Sequence, residues 1–407
     1  MSNLLLQNGI LDPDRLYNGI AIRAKDRQKA LVFHKILLDP TMTRSDVRAL
    51  LGFRSSTVSA AVKELMEDGL VMETSKITTG IPGRPTSALN VDIDRFTVIS
   101  FYLENRYLIG AVVNLAGDVL SEKKTFLPVE TDSDTFIHKF IELQKELSND
   151  VPSSSELLGL GISPLGTVDV EHKNWIRCYR WSKIKDVGFT RAPFSELPVP
   201  IVVRRNLEAV LDYQMAAHSS YRKGGTAIFH WGFGIGGAFA LDGFIIQSAL
   251  GRFGDIGHTK VNSESNLACR CGSRGCLEAE AALWALLPEL RNAGFQLDED
   301  NHGFSNALKG EWLINVPGVK HGIEAISSGL YNYFRMFHPD RILLIGPFFE
   351  NPLLAKHVIK SFKASLPSDL KNKVSIKVVE DAFRGCLISN AYPLFKDALK
   401  SHLICRS

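Results

Sequence analysis

The sequence predicts a winged helix-turn-helix at the front of a larger soluble body. Three observations carry this: a length of 407 residues, three short amphipathic segments followed by a hairpin signal within the first ninety residues, and glycine-punctuated apolar runs further on. At roughly 150 residues per domain, the length implies two to three domains and a sizeable core. Hydrophobic residues make up 45% and charged residues 22%, the balance of a globular chain, which excludes disorder and low complexity. The net charge of +3 is too small to argue for a nucleic-acid partner by itself, so local motifs must decide.

From Lys25 to about Leu38, residues Ala30, Val32, Phe33, Ile36 and Leu37 recur at roughly helical spacing and predict a first amphipathic helix. Thr43 is placed to cap a second, running through Leu51 with Val47, Leu50 and Leu51 inward. Gly52, Phe53 and Arg54 then turn the chain into a third, from Ser55 or Ser56 to Asp68. Its apolar stripe is Val58, Ala61, Val62, Leu65 and Met66, and Ser56, Thr57, Ser59, Ala60 and Lys63 occupy the remaining surface. Short hydroxyls and one lysine suit a major groove. The acids Glu64, Glu67 and Asp68 gather at the C-terminal end, away from the residues that approach base edges.

Leu70 to Ile77 and Ser87 to Val91 read as strands about a turn at residues 79–82, which makes the wing. Arg84, held between Gly83 and Pro85, is positioned to enter a narrow, electronegative minor groove. The candidate DNA contacts are therefore Ser56, Thr57, Ser59, Lys63 and Arg84, in a domain spanning residues 1–91. An ordinary small helical domain with a solvated hairpin, of the kind found in protein-interaction modules, fits the same pattern.

The first residues lack a basic region followed by an apolar core, so no secretory signal is expected. Thr226 to Leu250 is apolar enough to suggest a membrane span, but Gly232, Gly234, Gly236, Gly237 and the Asp242-Gly243 pair fit two buried strands better than one helix. A soluble, cytoplasmic protein with no membrane partner is expected.

Six cysteines are too few for a disulfide scaffold, and three of them crowd into eight positions. His258, Cys269, Cys271 and Cys276 follow H-x10-C-x-C-x4-C. Three thiolates and an imidazole complete a tetrahedral zinc shell with no open position for water, which argues a structural Zn2+ site. The alternative is three free or disulfide-linked thiols, although a Cys-x-Cys pair is awkward for a mutual disulfide and Gly272 and Gly275 permit a tight metal knuckle.

These residues resemble the ROK family of bacterial sugar-responsive repressors and sugar kinases. The run Gly251 to His258 is similar to G-x-x-G-E-[IL]-G-H, with Asp255 in place of Glu, and Cys269 to Glu278 is similar to C-x-C-G-x-x-G-C-L-E. Gly83 to Pro85, Gly159 to Asp169, the glycine loop at Gly232 and Ile342 to Gly346 extend the resemblance from the third helix onward. A winged helix marks the repressor branch. The resemblance implies an α/β body of two actin-like, hexokinase-like (ribonuclease H-like) lobes with a cleft between them. The first would comprise residues 92–200 plus 385–407, with strands at Thr97 to Tyr102 and Leu108 to Asn114. The second would comprise 201–384 and carry the zinc knuckle and the oligomerisation surface.

A sugar kinase needs a base for the hydroxyl proton and a phosphate cradle. The family's N-D-x-N base motif aligns with Arg205 to Glu208, so a neutral amide, Asn206, stands where the Asp should be, and neither Glu208 nor Asp212 occupies the matching position. The D-x-G-x-[TS] phosphate motif aligns with Tyr102 to Arg106 and keeps neither its Asp nor its glycines. Glu104 would repel phosphate there. The loop Gly232 to Gly237 formally satisfies G-x-G-x-x-G but lies between two predicted strands, so no dinucleotide site is expected. No catalysis is expected.

The family's sugar-gripping positions carry over to Arg205, Asn206, Asp255, His258 and Glu278, of which His258 and Glu278 match and the rest depart. The pocket is half kept. That implies a ligand other than plain glucose; Arg205 suits an acidic or phosphorylated sugar, or serves as a cleft-filling cation. The implied function is a sequence-specific repressor of carbohydrate genes, binding a palindromic double-stranded DNA operator as a homodimer or homotetramer under control of a sugar-like effector. The competing readings are a sugar kinase with an appended DNA-binding domain and a regulator controlled by a protein partner such as a phosphotransferase-system component.

Overall fold

A computed structural model describes residues 23–77, 86–104, 106–248, 253–295 and 308–404. At the front, α1 (Ala24–Leu38), α2 (Arg44–Leu51) and α3 (Ser55–Glu67) form where the apolar spacing places them. Thr43 and Asp46 close a capping box on α2: the Thr43 hydroxyl accepts from the Asp46 N–H at 3.3 Å, and the Thr43 N–H donates to the Asp46 carboxylate at 2.9 Å. Gly52, at φ +65°, supplies the left-handed residue that ends α2 and turns the chain into α3.

Val47, Val58, Ala61, Val62 and Leu65 are buried with the apolar face of α1. Leu50 and Met66, expected inward, are instead 59% and 37% exposed. Both sit at the edge of a short helix's buried face, and Arg44 reaches the Met66 sulfur at 3.7 Å. The wing strands β1 (Val71–Ile77) and β2 (Thr86–Val91) pair antiparallel with Val71 opposite Val91. The turn at 79–82 and Gly83, Arg84 and Pro85 lie outside the described residues.

The body repeats one sheet plan twice. β3 (Phe96–Glu104), β4 (Tyr107–Asn114) and β5 (Val119–Phe126) form an antiparallel meander. After α4 (Ser133–Ser148), β6 (Glu156–Ser163) joins parallel beside β3. A small side sheet of β7 (Thr167–Asp169), β8 (Asn174–Arg177) and β9 (Lys185–Gly188) follows. Then β10 (Ile201–Val203) adds parallel to β6 and completes the order β10-β6-β3-β4-β5. Ile201 therefore closes the first sheet and does not open the second lobe: its apolar strand finds its backbone partners on the free edge of β6, Ile201 beside Leu160 and Val203 beside Ile162.

Past α5 (Asn206–Ala217) the same plan recurs. β11 (Gly225–Trp231), β12 (Ile235–Leu241) and β13 (Phe244–Ile245) make the second meander. Thr226 to Leu250 thus holds strands, as its glycines require. After α6 (Leu277–Ala281), α7 (Leu283–Asn292) and α8 (Pro317–Phe337), β14 (Arg341–Ile345) joins parallel to β11; β15 (Ser375–Val379) follows α9 (Pro352–Ser365) and gives β13-β12-β11-β14-β15.

Two last helices, α10 (Gly385–Ser389) and α11 (Tyr392–Leu403), return to the first sheet. Between them Asn390 donates to the Phe101 carbonyl at 2.9 Å and to Ser163 Oγ at 3.0 Å, pinning the return to β3 and β6. Leu394, Phe395, Leu399 and Leu403 of α11 share one core with Phe33, Ile36, Val62 and Leu65 of the helical unit and with Phe96 and Val98 of β3. A separate core joins the two lobes: Tyr102 and Ile109 from the first sheet meet Val210 and Met215 of α5, Ile228 and Leu343 from the second, and Cys386 and Leu387 of α10. Among the described residues no helix is long and apolar enough to cross a membrane.

Candidate functional site

Between the lobes lies a cleft of about 320 Å³, within the size range of small-molecule sites. Its second-lobe wall is built on the turn between β11 and β12 and on the start of α6. Glu278, the second residue of α6, is buried; its carboxylate accepts from the Trp284 indole N–H at 3.1 Å and from the Ile235 N–H at 3.4 Å. Gly257 must lack a side chain, because a Cβ there would run into the Ile235 carbonyl and the Glu278 carboxylate. Gly234 likewise lies against Glu278. The glycine loop thus makes a tight turn between strands that brings backbone onto the carboxylate.

His258 lines the cleft and also faces the cysteines, with Nδ1 3.5 Å from Cys269 Sγ. The ligand atoms of His258, Cys269, Cys271 and Cys276 all lie within 4.8 Å of one another, and Cys271 and Cys276 Sγ are 3.8 Å apart. A tetrahedron with Zn–S about 2.3 Å and Zn–N about 2.0 Å has edges of about 3.8 Å between sulfurs and about 3.5 Å from nitrogen to sulfur. The four side chains form a group able to hold a metal ion. Burial pushes the Cys269 thiol up to about 12, whereas at Cys271 desolvation is outweighed by hydrogen bonds from the Ser273 backbone and the other two thiols, which hold the thiol below its ordinary value.

At the mouth of α5, Arg205 lies 3.4 Å from Glu208 and 3.7 Å from Asp255. Glu208 is buried and also accepts from the Gln247 amide at 2.6 Å. Asn206 is the first residue of α5 and lines the cleft. Asp212 pairs with Arg204 at 2.9 Å, away from the cleft lining. All five sequence-predicted ligand positions, Arg205, Asn206, Asp255, His258 and Glu278, come together on one cleft.

The same cleft is also lined by a group of three acids: Glu104 at the end of β3, Glu350 after β14 and Asp381 after β15. Burial, reinforced by the negative charge of Asp381, lifts the Glu104 carboxyl to about 7, and Tyr102 donates to it at 3.4 Å. Desolvation also raises Asp381. His230, half-buried in the same cleft lining, is pushed down to about 4 by desolvation and stays neutral at physiological pH. Arg180, Phe233 and Arg270 were not found by sequence reasoning. The guanidinium of Arg180 lies 5.3 Å and that of Arg270 5.4 Å from the Phe233 ring, Arg270 also covers Trp284 at 4.4 Å, and it donates across the cleft to the Tyr179 carbonyl at 3.3 Å. Arg270 occupies the variable position between two motif cysteines, where no local pattern gives its role away.

On the helical unit, Ser56, Ser59 and Lys63 are exposed along one side of α3, Thr57 is half-buried, and Lys63 lies 3.6 Å from Glu67.

A winged helix-turn-helix fused to a two-lobed, hexokinase-like body with a polar cleft defines a class: proteins that join a DNA-binding unit to a small-molecule fold. The chain belongs to the ROK family, whose model matches residues 105–387. It is 26% identical to a xylose repressor of Caldicellulosiruptor bescii over 79% of this chain and 83% of that protein. It is 23% identical to the DNA-binding transcriptional repressor Mlc of Escherichia coli, over 88% of this chain and 90% of that one. In fold it is similar to a solved ROK family transcriptional regulator, a homolog of the E. coli Mlc protein, at a TM-score of 0.72 and 17% identity, covering 93% and 98% of the two chains.

Proposed function

We propose that this chain is a sequence-specific transcriptional repressor of carbohydrate genes, acting in the cytoplasm, whose operator affinity is set by a sugar-like effector in the inter-lobe cleft. One observation carries the reading: a helix-turn-helix with hydroxyls and a lysine exposed on α3 shares a core with a body whose cleft presents Glu278 and His258. Ser56, Thr57, Ser59 and Lys63 face the major groove and Arg84 the minor groove. Homodimers or homotetramers present paired α3 helices to a palindromic operator.

The effector is a neutral sugar. Carboxylates such as Glu278 accept hydrogen bonds from adjacent hydroxyls, whereas Arg205, the reason to expect an acidic sugar, is held by Glu208 and Asp255. Phosphoryl transfer is not the activity. Asn206 offers no base where the family has one, and the group of Glu104, Glu350 and Asp381 opposes a polyphosphate.

Zn2+ fits the His258, Cys269, Cys271 and Cys276 group, and four protein ligands leave it a structural role. When bound, it fixes the knuckle that carries His258 and leads into Glu278. Calorimetry with D-xylose, D-glucose and glucose 6-phosphate, paired with gel shifts on the gene's own upstream duplex, tests the whole reading. A neutral sugar that binds and releases the duplex is expected; no binding of any of the three at millimolar concentration removes the effector site as described.

A further inference from the structure

Lys29 of α1 is buried and absent from the cleft lining, and its ammonium ties α1 to two other elements, α3 and α11. Its ammonium lies 2.6 Å from Asp68, which caps the C-terminus of α3, and 3.8 Å from Glu64 on α3 itself. It also donates to the His402 carbonyl at 2.9 Å, in the last turn of α11. The Lys29 side chain is 7% exposed. Burying an ammonium is unfavourable unless its geometry is fully used, and here both charge and donors are spent on tying the recognition helix to the helix that returns from the sensor lobes.

The other end of that return reaches the cleft. Asp381, Ala382 and Phe383 line it and run directly into α10. The Arg204 guanidinium, next to Arg205, donates to the Ser389 carbonyl at 2.5 Å. Asn390 then fixes the start of α11 to β3 and β6. One continuous stretch, from Asp381 to His402, therefore spans from cleft wall to recognition helix.

We propose that Lys29 is the positioning residue for operator recognition: it sets the angle of α3 on the body, and through α10 and α11 makes that angle answer to the cleft. The second half rests on the effector reading above; the first does not. Lys29 is too buried to touch DNA, so its loss changes how well α3 meets base edges and leaves phosphate contacts intact.

The test uses the full chain without sugar, a labelled duplex of the gene's own upstream region, and a scrambled duplex of equal length. Lys29→Met is expected to lower affinity for the upstream duplex about 10-fold, with the scrambled duplex and the salt dependence of binding unchanged and Lys29→Arg restoring most of the loss. Should Lys29→Met fold poorly by circular dichroism, Asp68→Asn weakens the same lock from its more exposed side and is expected to give the same preference loss. An unchanged ratio of upstream to scrambled affinity in a folded variant overturns the proposal, as does a salt slope reduced by about one, which would make Lys29 a phosphate contact. A wild-type chain that ignores the upstream duplex overturns the repressor reading along with it, whereas binding that the variants leave untouched overturns only the role of Lys29.

Discussion

Two parts of the cleft hold carboxylates in different ways. At the start of α6, Glu278 is buried yet supplied with an indole and a backbone donor, beside a metal-binding group. In the acidic group, Glu104 is also largely buried but faces Asp381, and the Tyr102 hydroxyl donates to it at a long 3.4 Å. Glu278 is supplied with two donors, whereas burial, reinforced by Asp381, raises the Glu104 carboxyl to about 7.

The largest effect that would break this contrast comes from the metal side. Cys276→Ser should abolish stoichiometric zinc in elemental analysis and lower the Tm by about 5 °C or more; full metal content with an unchanged melting curve would mean that the knuckle does not organise this side. Next, Glu278→Gln should weaken binding of a neutral sugar about 10- to 100-fold by calorimetry, because half of its accepting capacity becomes a donor. Equal binding by the variant would move the sugar elsewhere in the cleft.

The acidic group around Glu104 predicts a pH signature. Glu104 has its native value raised from 4.5 to about 7. Between those values the native state holds more protons than the unfolded chain, so stability is fully present below about pH 4.5 and is lost as pH rises through 7. The span is at most about 3 kcal/mol. Glu104→Gln should flatten denaturant midpoints across that window, and an undiminished slope would place the titration on another group. The smallest effect is Asp381→Asn, which removes the nearest repelling charge and should shrink the same span by roughly 0.5 kcal/mol; a larger slope in that variant would contradict the pairing of these two acids.

What the sequence made legible follows the reach of each interaction. The helix-turn-helix and the metal group are written in short, nearly contiguous patterns, because capping, turns and ligand spacing are local chemistry. Thr43, Gly52 and the three cysteines were readable for that reason. The lobe boundary at Ile201 was misplaced because a three-residue strand carries no signal of which sheet edge it will join. For Arg205 an acidic ligand and a cleft-filling role stayed open, since its partners Glu208 and Asp255 meet it only after folding, and Asp255 lies fifty residues away. Lys29 and Arg270 drew no attention at all: their partners, His402 and Tyr179, are chosen by the packing of distant elements. Repetition of the sheet order was equally invisible, because strand sequence varies freely while backbone pairing does not.

The shared core of α1, α3 and α11 also bears on synthesis. The helical unit leaves the ribosome before α11, and the apolar face that Leu399 and Leu403 cover stays open until α11 emerges roughly 300 residues later. At about 5–20 residues per second, that is an interval of some tens of seconds. During that interval the apolar face of the helical unit lacks the partners that α11 supplies, so the last packing step of the recognition unit waits on the most distant helix of the described chain.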